Sequence, residues 1–187
     1  VRLDGRIGGS SVRLFVSLVR DAARVDVRMQ THYREPMTVL KASVMPVLGA
    51  GAQRRDRIAG GWLSRACDGR EVPVHHALAL EDADRRHFGL LFPDSFAADV
   101  AQTRAMRVTL LRNSVHAYSS YAGLPQEDIP ALRERFGTDE GPQTIRFSLA
   151  LDAAATEAAL ENDLITCQRP PWMWDDFRGR ARLDRFE

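Results

Sequence analysis

The sequence predicts an all-β protein, an antiparallel β-sandwich with one or two short helices at its periphery. Three observations carry this expectation. About seven short apolar runs alternate with a period of two, polar breaks separate them at strand-like spacing, and only two segments carry helical signals. Its 187 residues are enough for one domain that buries roughly 70% of its unfolded surface without disulfide support.

The first two strands are the clearest. Val12, Leu14, Val16 and Leu18 alternate in SVRLFVSLVR, and Val25, Val27, Met29 and Tyr33 alternate against Asp26, Arg28, Gln30 and His32. The polar break Arg20 to Arg24 is short enough to make them an antiparallel hairpin. Thr38 to Val47 reads as a third strand that Pro46 brings to an end. The small and charged residues of GAGAQRRDRIAGG, Gly49 to Gly61, read as a mobile loop. Four further runs follow, EVPVHHALAL from Glu71, HFGLLF from His87, MRVTLL from Met106 and QTIRFSLAL from Gln143. Helices are expected from Pro125 to Phe136, closed by Gly137, and from Asp152 to Leu164, with Asp152 as the cap. The tail after Gln168, with Trp172 and Trp174 beside two prolines, reads as a clamp laid over the surface. Residues 1–187 are thus expected to form one domain, of which 152–187 are a peripheral helix and tail.

Charge excludes some partners. With a formal net charge of +1 and arginines scattered along the chain, no field favours nucleic acid or an anionic membrane. Lys41 is the lone lysine. No apolar stretch approaches the roughly 18 residues of a membrane span, and Cys67 and Cys167 stand in no zinc or disulfide pattern. A cytoplasmic location in a bacterium is the expectation. Val1 opens directly in strand-like sequence, which suggests a piece of a longer protein.

The order of motifs resembles the C-terminal β-domain of glycoside hydrolase family 38, the α-mannosidases, over about Val1 to Leu151. The hairpin block Gly9 to Val19 with Arg24 to Val27, then VLKASVMPV from Val39, is the strongest part. FGLLFPDSFAADV matches a family stretch through Gly89, Leu91, Asp94, Ser95 and Asp99, and MRVTLLRNS matches another through Leu110, Leu111 and Arg112. The sequence departs from that pattern at Pro93, at Phe96 to Ala98 with one residue fewer, at Asn113, and after Leu149. The resemblance implies a supersandwich, galactose mutarotase-like in type. It implies a supporting role beside an N-terminal catalytic part of the same polypeptide, a retaining α-mannosidase that holds the nucleophile, the acid and zinc. No catalytic residue, metal ligand or cofactor is expected in this chain itself. The implied partners are that catalytic part and mannose-containing glycans.

Arg112, Asn113, His116, Tyr118 and Asp94 are the candidate residues for a carbohydrate rim, because the polar run RNSVHAY leaves the core directly after Leu110 and Leu111. The plain alternative for Arg112 is an ion pair with a carboxylate such as Asp94. Asp94 and Asp99 are expected to anchor a loop by accepting backbone N–H groups. His75 and His76, as neighbours in a strand, would face opposite ways and share no metal. Two other functions stay open, an autonomous carbohydrate-binding module using Trp172, Trp174 and Tyr118, and a protein-interaction sandwich without sugar contact.

Overall fold

The computed structural model describes residues 1–18, 23–49, 51–114 and 139–168. These carry β1 (Arg2–Ile7), β2 (Ser10–Leu18), β3 (Arg24–Tyr33), β4 (Thr38–Val44), β5 (Gln53–Ile58) and β6 (Gly61–Arg65). They continue with β7 (Val72–Pro73), β8 (Ala77–Glu81), β9 (His87–Leu91), β10 (Ala97–Val100), β11 (Met106–Asn113) and β12 (Gly141–Leu151). A 3-10 turn at Asp152–Ala155 and the helix α1 (Glu157–Gln168) follow. The strands make an eight-stranded sheet, ordered β1-β2-β3-β12-β9-β8-β5-β6, and a four-stranded sheet, ordered β4-β11-β10-β7. Every pairing is antiparallel. The all-β sandwich expected from the sequence is the fold.

Alternation explains the core. Val27, Met29 and Tyr33 of β3, Ile145 and Phe147 of β12, and Leu78, Leu80, Phe88 and Leu90 of β8 and β9 face the small sheet's Ala98, Val100, Met106 and Val108. Each fully buried leucine or phenylalanine contributes about 1.5–3 kcal/mol over its exposed state. The β1–β2 turn contains Gly8 at φ 55°, a left-handed position that suits glycine. The Glu35 carboxylate clamps that turn, accepting from Gly9 N at 2.7 Å, Ser10 N at 2.9 Å and Ser10 Oγ at 2.8 Å.

The segment expected to be a mobile loop is an ordered hairpin, β5 and β6. Its strand character is hidden because the inward positions of β5 hold Arg54 and Asp56 instead of apolar residues. The two side chains are 1% and 0% exposed and pair through Nε–Oδ1 at 2.7 Å and Nη2–Oδ2 at 2.8 Å. On the other face of β5, Arg55 and Arg57 reach α1 through Glu157 at 2.6 Å and Glu161 at 2.7 Å.

Run EVPVHHALAL is likewise two strands. β7 joins the small sheet, β8 joins the large one, and His76 at φ 67° turns the chain between them. His75 and His76 therefore do not sit in a strand. Their rings meet edge to face at 6.2 Å, and His76 Nδ1 lies 3.1 Å from Ser95 O.

α1 packs on the outer surface of the large sheet over β8, β9 and β12. Leu160, Leu164 and Ala155 pack on Ala77, Ala79, Leu91 and Ala150. Gly89 makes that approach possible, since a Cβ there would lie 2.9 Å from Leu160 Cδ2 and 3.4 Å from Ala155 Cα. Asp152, expected as the helix cap, has φ 47° and is the first residue of the 3-10 turn. Thr156 does the capping, its Oγ1 accepting from Ala159 N at 3.3 Å. The helix Pro125–Phe136 and the tail clamp expected from the sequence fall outside the described residues.

Candidate functional site

Strict alternation along β11 would point Arg112 into the core. Val108 faces inward and Thr109 outward, so Leu110 would be inward, Leu111 outward and Arg112 inward again. A register shift against β4 between Thr109 and Leu111 breaks the sequence, and both leucines are buried. The irregularity delivers Arg112 to the outer surface and turns Asn113 inward.

On that surface Arg112 joins a chain of charges. Its guanidinium and the Thr109 hydroxyl donate to the Glu71 carboxylate, Thr109 at 2.8 Å. Lys41, opposite Thr109 on β4, lies between Glu71 at 2.5 Å and Asp99 at 2.7 Å. Arg107 closes the far end by donating to Asp99, whose side chain is 1% exposed. Burial works against the Lys41 ammonium, but the Asp99 and Glu71 carboxylates outweigh it and raise its pKa. Burial likewise resists ionisation of Glu71, and the Lys41 and Thr109 hydrogen bonds overcome it and lower its pKa. The lone lysine thus works between two carboxylates, and three residues singled out by motif, Lys41, Asp99 and Arg112, meet in one network. Glu71, which links them, was not a sequence candidate. A glutamate opening an apolar run gives no signal of its own.

The plain alternative for Arg112, an ion pair with a carboxylate, is what the structure shows, with Glu71 in place of Asp94. Asp94 instead binds Arg146 of β12, accepting from its backbone N at 2.9 Å, Nε at 3.1 Å and Nη2 at 2.8 Å. Arg146 points out of the large sheet between the core residues Ile145 and Phe147, so Asp94 and Arg112 serve opposite faces of the sandwich. Asp99 is bound by cationic side chains, not by a loop backbone, and this too differs from expectation. Asn113 is 1% exposed and donates from Nδ2 to Glu35 O at 2.9 Å. His116, Tyr118, Trp172 and Trp174 lie outside the described residues.

Among the described residues no three His, Cys, Asp or Glu side chains gather as a metal site would require. Cys67 is a free thiol whose pKa burial pushes up, the opposite of an activated nucleophile. No helix among these residues is long and apolar enough to cross a membrane.

No family model and no curated protein matches the chain. Solved structures do. An α-mannosidase from Enterococcus faecalis V583 superposes with a TM-score of 0.66 at 11% identity, over 86% of this chain and 18% of that one. The chain has the fold of an α-mannosidase segment. A second structure, a glycosyl hydrolase family 38 protein from Enterococcus faecalis, matches with a TM-score of 0.67 at 10% identity and the same coverage. The chain thus spans under a fifth of either of these proteins.

Proposed function

We propose that residues 1–187 are the C-terminal β-sandwich of an α-mannosidase-like glycoside hydrolase and that they support a catalytic part encoded in the same polypeptide. The observation that carries this reading is the superposition of 86% of the chain on a segment making up 18% of a family 38 structure. In this reading the nucleophile, the acid and zinc belong to the remainder of the polypeptide. The Arg112 end of β11, continuing toward His116 and Tyr118, faces the carbohydrate rim. The Glu71–Lys41–Asp99 network holds that end in place. A bulge that re-aims one cation, and the half-buried Glu71 and buried Asp99 carboxylates bridged by Lys41 beside it, support a surface built for docking.

Two measurements test the proposal. The isolated chain, supplied with zinc and an aryl α-mannoside, should show no turnover; activity that stays with it through successive purification steps would overturn the supporting role. The longer natural polypeptide should hydrolyse the same substrate and lose that activity, together with solubility, when residues 1–187 are removed. Full activity without them would refute the reading equally.

A further inference from the structure

On the outer face of the large sheet, over β2, β3 and β12, lies a shallow cleft of about 240 Å³. That is below the ~300–1,000 Å³ of drug-sized pockets and suits one sugar-sized ring. Two cross-strand rows make its floor. Phe15 lies opposite Arg28, and Arg28 opposite Arg146; in the next row Ser17 lies opposite Asp26, and Asp26 opposite Ser148. Arg24 and Pro93 complete the walls.

The cations differ in how they are satisfied. Arg24 donates to Asp163 of α1 at 2.7 Å and lies beside Asp26, while Arg146 is held by Asp94. Arg28 is exposed and has no carboxylate partner among the described residues. Its guanidinium is instead stacked on the Phe15 ring, 4.6 Å from the centroid, which fixes its direction while leaving its charge uncompensated. Beside it the Asp26 carboxylate accepts from Ser148 Oγ at 2.7 Å, and the Ser17 hydroxyl is exposed. A pre-positioned fork for one carboxylate therefore adjoins a row that accepts from and donates to hydroxyls. The Asp26 carboxylate, paired with Arg24 at 3.0 Å, still disfavours a second negative charge beside it and rewards a ligand that offers O–H groups next to a single negative charge.

We infer that this cleft binds a sugar acid, a hexuronate unit whose carboxylate lies on Arg28 and whose ring hydroxyls meet Ser17, Asp26 and Ser148. The site is separate from the Arg112 surface and does not depend on the proposed supporting role.

The test is a titration of the ¹⁵N-labelled chain with glucuronate, glucose, acetate and inorganic phosphate at constant ionic strength, following the amides of Phe15, Ser17, Arg28 and Ser148. So open a cleft supports a Kd of about 1–10 mM for glucuronate. Glucose, acetate and phosphate should each bind at least tenfold more weakly. Arg28→Gln should weaken glucuronate about tenfold, Ser17→Val should weaken it without altering acetate, and Arg112→Ala should change nothing. Phosphate or acetate equalling glucuronate would reduce the site to a general anion spot, and glucose equalling it would remove the role of Arg28. Either result, or no saturable shift at these four amides, overturns the inference.

Discussion

Replacing Asp56 by alanine should be among the most damaging single changes in the large sheet. The Arg54 guanidinium is 1% exposed, and its two short bonds go to Asp56, with the Ala66 carbonyl at 3.4 Å its one further partner among the described residues. Asp56→Ala leaves that cation buried without a counter-charge, which costs about 3–5 kcal/mol. Arg65, 3.6 Å from the same carboxylate, loses its partner as well. With a urea dependence of about 2 kcal/mol per molar, the unfolding midpoint should fall by about 1.5–2.5 M at unchanged slope. The double variant Arg54→Leu/Asp56→Leu should recover most of that loss, because a dry apolar pair replaces an ion pair whose desolvation offsets much of its attraction. A loss below about 1 kcal/mol for Asp56→Ala would refute the reasoning, since water would then have to reach Arg54. So would a double variant no better than the single one.

Further expectations follow from the packing and the charges. Gly89→Val should destabilise by about 1–3 kcal/mol in the same assay, because its Cβ meets Leu160 and the Ala155 backbone. Leu160→Ala, at a fully buried position, should cost about 2–5 kcal/mol. Thr156→Ala removes the cap of α1 and should cost about 1 kcal/mol. Asp82 accepts from Gly49 N, Asp84 N and both Arg86 N and Nε. Those bonds, the Gly49 amide foremost, lower its pKa from 3.8 to about 2. Its contribution is therefore complete above about pH 4 and lost as pH falls toward about 2. Asp82→Asn should flatten that part of a stability–pH curve, and an unchanged acid limb would contradict the assignment.

Much of the sandwich is legible in the sequence wherever one face of a strand is apolar. β2, β3, β8, β9, β11 and β12 announce themselves because Val, Leu, Ile and Phe recur at alternate positions. β5 does not, since an Arg–Asp pair fills its inward face and imitates a solvated loop. β7 and β8 read as one run because both are apolar, and the turn between them rests on a left-handed His76 that carries no composition signal. The four-residue β10 hides in the stretch read as a loop around Asp94 and Asp99. The candidate site was half legible. Motif order pointed to Arg112 and Asp99, but which carboxylate meets Arg112 depends on the irregular step in β11, and one displaced residue decides between opposite faces.

The position of β12 in the large sheet orders the assembly of the molecule in time. It sits between β3 and β9, so the ribbon β1-β2-β3 and the ribbon β9-β8-β5-β6 have no contact as strands until residues 141–151 exist. A chain emerging during synthesis must hold both ribbons apart, each with a bare hydrogen-bonding edge open to wrong partners. Insertion of this one strand closes both edges at once. Cooperative formation of the larger sheet is thereby reserved for β12, the last of the described strands in chain order.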